Sequence, residues 1–383
     1  MKVPLLDLKT QFLAIESDIR AAIERVLASQ QFILGEEVAA FEKEMSAVLG
    51  GVEAIGVASG TDALYLALMA LEVGEGDEVI TTPYSFFATA SVIHRCGARP
   101  VFVDIDPATF NILPDRIARA VTPRTRAILP VHLFGLMADV EPFLDLSARK
   151  GIPIIEDAAQ ALGATARVRG GPVLSGTLGT VGCFSFFPSK NLGGAGDGGL
   201  VVTRDAALAA RVRSLRQHGE EKTYVHTRVG INSRLDALQA AVLRAKLPHL
   251  EGWNLRREAN AARYHRLFDA AGLTGPDGPV QLPEAPPGFR HTYHQFVIRA
   301  RNRDLLLSRL REEGIGCAVY YPVPLHLQPC FAPHRYRPGD FPVAETASAS
   351  TLALPIYPEL SDEMQRQVVS ALGSFYSPEP RAR

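Results

Sequence analysis

From about residue 50 to 205, short apolar and β-branched runs alternate with segments whose apolar positions recur at helical spacing. The runs Ala54–Ala58, Glu78–Thr81, Val101–Asp104, Ala127–Val131, Ile152–Glu156, Cys183–Phe187 and Gly199–Thr203 predict strands. Several are apolar throughout, as strands buried on both faces of a parallel sheet are. Helices are predicted between many of them, for example over Ala63–Leu71, Val140–Lys150 and Ala206–Gln217. The rhythm predicts an α/β fold built on a mostly parallel sheet of about seven strands with helices on both sides. In such sheets ligands collect beyond the carboxyl ends of the strands. The residues that follow each strand therefore carry the functional question.

Past residue 230 the texture changes. Arg234–Leu247 and Trp253–Ala271 predict long amphipathic helices, and residues 275–288 predict a loop. A strand over Tyr293–Arg299, a helix over Arg303–Glu313, a strand over Cys317–Tyr321, a proline-rich loop and a last helix over Asp362–Leu372 make a smaller α/β domain. The expected division is a large domain of residues 1–250 and a small one of 251–383. The polar end Ser377–Arg383 is expected to fray.

Composition narrows the class. The 383 residues are 47% hydrophobic, enough for a large core, and 40 Lys+Arg stand against 41 Asp+Glu. That balance provides no footprint for nucleic acid or for a membrane surface. The first residues lack the apolar core of a signal peptide, and no run approaches the roughly 20 residues that cross a bilayer. Cys96, Cys183, Cys317 and Cys330 are scattered without paired or metal-type spacing. A cytoplasmic enzyme with reduced thiols and no metal is expected.

The candidate chemistry lies at the strand ends. Lys190 sits just past an apolar strand in Ser185-Phe186-Phe187-Pro188-Ser189-Lys190-Asn191-Leu192-Gly193-Gly194, and Asp157 ends the strand before Ala158-Ala159-Gln160. A lysine able to form a Schiff base and an aspartate able to pair with a pyridinium nitrogen are what pyridoxal phosphate requires of a protein. Ser59-Gly60-Thr61-Asp62 opens a helix and could seat a phosphate, or Thr61 or Asp62 could merely cap that helix. Phe86 could stack on a flat ring or join the core. Gln160 could bond the ring's phenolic oxygen, and Ser185 the phosphate; solvent and backbone are the plainer partners. Asn232 and Ser233 lie at the mouth of a helix, as caps or as contacts. His218 lies near the C-terminus of a helical segment that ends at Gly219, a common arrangement that needs no function. Tyr320, Tyr321 and His326 flank a stiff proline-bearing loop that could close over a sugar or simply connect the domains. Read as a dinucleotide loop, Gly193–Gly199 fails, because the spacing is not G-x-G-x-x-G opening a helix.

Assembled in order, these residues resemble the DegT family of fold-type-I, pyridoxal-phosphate-dependent nucleotide-sugar aminotransferases. The likeness runs through Asp7-Leu8-Lys9, Ser59–Leu64, Val101–Asp106, Glu156–Gln160, Ser185–Gly193, Asn232–Asp236 and Tyr321-Pro322. It implies Lys190 as the Schiff-base lysine, Asp157 as the pyridinium partner, Gln160 at the ring oxygen and Phe86 stacked on the ring. It implies Gly60, Thr61 and Ser185 at the phosphate, with Asn232 reaching the neighbouring subunit's phosphate in a homodimer with shared sites. Arg234, His218, Tyr320, Tyr321 and His326 are the candidate substrate contacts, Arg234 for a sugar carboxylate or a diphosphate. The implied reaction moves an amino group from an amino acid, L-glutamate, to a keto group of a nucleotide sugar. The closest likeness is to 3-oxo-sugar enzymes, including those for UDP-3-oxo-N-acetylglucosaminuronate, although family members often carry histidine where Tyr320 stands. The alternatives are a 4-oxo-sugar aminotransferase, a lyase or cyclising enzyme of the same fold, and a non-catalytic regulatory relative. Lys190 argues against the deoxysugar dehydratases, which carry histidine at that position.

Overall fold

The computed structural model describes residues 2–376; the expectation for Ser377–Arg383 lies outside them. Seven strands form the central sheet: β1 (Glu53–Val57), β2 (Glu78–Thr81), β3 (Arg99–Phe102), β4 (Thr125–Leu129), β5 (Ile155–Asp157), β6 (Val181–Ser185) and β7 (Gly199–Thr203). They lie in the order β1-β7-β6-β5-β4-β2-β3, with β4 and β5 joined by the parallel bridges Ile128↔Ile154 and Val131↔Asp157. Every neighbouring pair is parallel except those of β7, which runs antiparallel to both β1 and β6.

The strands are apolar on both faces because both faces are covered. On β7, Val201 packs with the helices Gly60–Ala70 and Ala206–Leu215, whereas Leu200 and Val202 pack with Gly35–Val48 and Ala237–Lys246. The helices Glu16–Ser29 and Gly35–Val48 were not among the sequence expectations. Their stripes, Ile19, Ala22 and Val26 and then Val38, Phe41 and Met45, carry the spacing of an amphipathic helix and are buried.

Beyond the long helix Leu250–Ala270, a smaller antiparallel sheet orders β8 (Val280–Gln281), β9 (Phe296–Ala300) and β10 (Thr351–Leu354) as β8-β9-β10. The strand expected over Cys317–Tyr321 is corrected to a single bridge, Ala318↔Ala353. The Tyr320 carbonyl is taken by the Tyr84 hydroxyl, and Pro322 and Pro324 then remove the N–H donors that would extend a ladder. Val3 pairs with Ile315 and sits in the apolar cluster of this second sheet, so the chain's first residues pack with its last third.

Candidate active site

Asp157 is the last residue of β5 and is held by its own backbone. Its N–H donates to the Pro130 carbonyl at 2.9 Å and its carbonyl accepts from the His132 N–H at 3.0 Å. The side chain is buried. Oδ2 accepts from the Thr89 hydroxyl at 2.8 Å, while Oδ1 receives only a long 3.3 Å contact from the Ala159 N–H. Burial pushes the carboxyl's pKa above its ordinary value, against the opposing pull of Thr89, Ala159, Lys190 and His132. Its neighbour Glu156 points to the other face of the strand, fully buried. Glu156 accepts from the backbone of Gly176, Leu178 and Gly179 and from His132 Nε2 at 2.8 Å. His132 Nδ1 accepts from the Ala138 N–H, so the ring proton lies on Nε2. This pair locks the β4 and β5 ends together and so fixes Asp157.

Lys190 follows β6, in a turn closed by its own N–H to the Phe187 carbonyl at 2.8 Å. The next residue anchors that turn: Asn191 donates to Asn254 at 2.7 Å and to the Thr292 carbonyl at 3.3 Å, and its Oδ1 accepts from His294 Nδ1 at 3.2 Å. Lys190 keeps some solvent contact, yet burial pulls its pKa down to about 8, with the Asp157 charge acting the other way. Among the described residues the amine makes no hydrogen bond and no ion pair. Amine and carboxylate thus sense each other across a separation too long for an ion pair.

The mouth of the Gly60–Ala70 helix is capped by Ser59, whose hydroxyl accepts from the Asp62 N–H at 3.1 Å. Capping by Ser59 removes the plainer role considered for Thr61 and leaves the Gly60 and Thr61 N–H groups without partners among the described residues. Ser185 lies directly against this mouth: a Cβ on Gly60 would stand 2.6 Å from the Ser185 Cβ.

A third set of groups centres on Gln160. Gln160 is oriented from both ends, its Oε1 accepting from the Phe134 N–H at 2.8 Å and its Nε2 donating to the Tyr321 hydroxyl at 2.9 Å. Tyr321 also packs against Phe86, ring centroids 6.3 Å apart, and Phe86 is 56% exposed rather than core. Tyr320, half-buried, adjoins it. The fold therefore brings together Lys190, Asp157, Gln160, Phe86, Tyr321, Gly60, Thr61 and Ser185.

The remaining candidates are placed differently. Asn232 is exposed and its side chain makes no hydrogen bond among the described residues, although the next residue, Ser233, accepts from the Ala58 N–H at 3.2 Å and so abuts the end of β1. Arg234 is half-buried with an unpartnered Nε. His218 is exposed at the base of an excursion through Glu220–His226, with φ at 62°. His326 is buried against Phe341 with Nε2 3.1 Å from Glu345, away from the mouth. The sequence assigns no role to Thr89, Ser85 or His294; Ser85 and Thr89 lie in the strand-end stretch Pro83–Thr89 beside Phe86, and only the fold brings them to Asp157, and His294 to Asn191.

The model of the DegT/DnrJ/EryC1/StrS aminotransferase family matches residues 13–373. The chain belongs to that family. It is 47% identical to a "pleiotropic regulatory protein" of Geobacillus stearothermophilus, over 98% of this chain and 99% of the relative. It is 45% identical to a UDP-N-acetyl-3-dehydro-alpha-D-glucosamine 3-aminotransferase of Acidithiobacillus ferrooxidans, over 97% of each chain. Among solved structures, DesV of S. venezuelae in complex with a ketimine intermediate superposes with a TM-score of 0.93 at 42% identity, over 99% of this chain and 100% of that one. The fold class is that of the family's aminotransferases, and the chain is an aminotransferase by that membership; no helix of the described residues is long and apolar enough to cross a membrane.

Proposed function

We propose that the chain moves an amino group from L-glutamate to the 3-oxo group of a UDP-linked sugar, with pyridoxal phosphate as cofactor. The observation that carries this reading is the buried Asp157 carboxylate at the end of β5 facing the charge of the Lys190 amine in the turn after β6, with no ion pair between them. Burial pulls the amine's pKa down to about 8. The residues present fit the cofactor. Asp157 Oδ1 is engaged only by the long Ala159 contact among the described residues, and the N–H groups of Gly60 and Thr61, without partners among those residues, suit a phosphate together with the Ser185 hydroxyl. Bound there, pyridoxal phosphate supplies an electron sink for charge developing at the amino-bearing carbon.

The chain's own groups do the rest. Lys190 would hold the cofactor covalently, and its amine, when free, would take a proton as general base and return it as general acid. Asp157 keeps the ring nitrogen protonated. Gln160 has spent one amide hydrogen on Tyr321 and keeps the second for the ring oxygen. Phe86 covers one ring face. Asn232 serves the site of a partner subunit in a homodimer, a reading supported by exposed Phe87, Phe187, Tyr224 and Val229 at 43, 52, 89 and 90%. Arg234, Tyr320 and Tyr321 face the sugar nucleotide; His218 and His326 would reach it only from the partner or after rearrangement. The four unpaired cysteines agree with a cytoplasmic setting.

The 3-oxo position rests on the Acidithiobacillus relative. Loading the enzyme as the pyridoxamine form and adding 3-oxo and 4-oxo nucleotide sugars tests it: recovery of the aldehyde absorbance with 3-oxo UDP sugars is expected, and recovery only with 4-oxo sugars overturns it. Two further outcomes follow from the geometry. Adding a methyl at Gly60 must push Ser185 aside, so Gly60→Ala is expected to weaken cofactor binding by about tenfold or more with the far-ultraviolet spectrum unchanged. Covalent capture of pyridoxal phosphate by the apo-protein is expected to speed up about tenfold per pH unit below 8 and to level off above it, as the neutral amine fraction saturates. A stopped-flow profile that keeps climbing to pH 10 contradicts a depressed Lys190.

A further inference from the structure

Asp157 is not held by its backbone alone. Thr89, wholly buried in the helix Ala88–Arg95, sets its hydroxyl 2.8 Å from Oδ2, and Ser85, also buried, sets its own hydroxyl 2.9 Å from that of Thr89. Each hydroxyl owns one proton. An ionised Asp157 can only accept, so Thr89 gives its proton to Oδ2, and Ser85 must give its proton to Thr89. The three groups then form a directed chain, Ser85 to Thr89 to Asp157, that occupies one carboxylate oxygen and leaves the other with the long Ala159 contact. The further groups sensing Asp157 are Lys190 after β6, His132 after β4, Cys183 on β6 and Tyr321 from the smaller domain. His132 is turned to Glu156 by its own hydrogen bonds, so Lys190 is the larger of the two charges that favour the carboxylate, and during turnover its amine is needed elsewhere.

We infer that Thr89, backed by Ser85, is a positioning residue that keeps the Asp157 carboxylate ionised and turned so that Oδ1 meets the cofactor's ring nitrogen. This rests on the proposed cofactor. Without the Thr89 proton a buried carboxylate keeps only the long Ala159 contact and the distant amine, and the proton it should leave on the ring is held by the protein instead. A serine at 89 preserves the donor; a valine of the same shape does not.

The test uses the full chain in two forms. In the apo-protein with 13C-labelled aspartate, the Asp157 carboxyl is titrated by NMR, its signal assigned through Asp157→Asn. Thr89→Val is expected to move that midpoint up in pH, and Thr89→Ser to leave it in place. In parallel, pyridoxal phosphate binding is measured by fluorescence. Thr89→Val is expected to cost about tenfold in affinity, the size of one charge-assisted hydrogen bond, with Thr89→Ser within about twofold of the parent. In an Asp157→Asn background, Thr89→Val is expected to add no further loss. A merely structural threonine would weaken binding equally in both backgrounds, and that result, or an unmoved carboxyl midpoint, overturns the inference. If Thr89→Val does not fold, Ser85→Ala carries the same readouts with a smaller upward shift expected, and no shift overturns it. Failure of the parent protein to bind pyridoxal phosphate would sink the proposed function, whereas the apo titration would still decide the role of Thr89.

Discussion

Replacing Lys190 with alanine is expected to abolish multiple-turnover transamination, a loss on the order of ten-thousand-fold or more in kcat/KM. The size follows from two tasks being lost together: the resting covalent link, and the proton transfer that a single amine performs in both directions. Lys190→Arg is expected to be no better, because a guanidinium stays protonated and cannot add to an aldehyde. Cofactor binding should survive in weakened form through Gly60, Thr61 and Ser185, so borohydride reduction is expected to attach cofactor to the parent protein and not to either variant. Steady-state assay with labelled glutamate decides the matter, and sustained turnover by Lys190→Ala would refute the assignment. The same experiment separates transamination from the regulatory reading that the Geobacillus relative's name suggests.

Much of this site is legible in the sequence for a physical reason. A doubly covered sheet requires continuous apolar strands, and the polar residue that breaks each run lies at its edge. Asp157 and Ser185 stand out in this way, and Lys190 follows in a turn of small residues. What the runs do not carry is direction. β7 is buried at all five positions, so nothing in Gly199–Thr203 announces that it runs against its neighbours. Long-range polar pairs are equally silent. Gln160 and Tyr321 lie 161 residues apart and Thr89 and Asp157 lie 68 apart, and neither pair carries a spacing rule. The strand expected at Cys317–Tyr321 fails for a local reason that prolines could have signalled. The helices of residues 16–48 were missed although their apolar stripes carry helical spacing, and their role, backing the face of β7 that carries Leu200 and Val202, came only with the fold.

Asp157→Asn carries the second large effect, and it has two parts with opposite signs. Asparagine keeps the shape and can still accept from Thr89, yet it cannot hold a proton on the ring nitrogen. Turnover is therefore expected to fall by about a thousand-fold. The apo-protein, by contrast, is expected to become more stable at neutral pH. Burial raises the Asp157 pKa in the folded state above its value in the unfolded chain, even after the attraction of Lys190 is included. A raised folded pKa means that the native state binds the proton more tightly. The associated stability is present in full below the unfolded pKa and is lost as pH rises through the folded one. At pH 7 the parent protein carries that loss, and a neutral amide does not. Calorimetric melting of the two apo-proteins is expected to show the variant higher at pH 7, with the difference shrinking on acidification. Equal melting at pH 7, or a difference that widens as pH falls, would mean that the carboxylate is not strained by burial. Its place at the end of β5 would then be no sacrifice of stability for function.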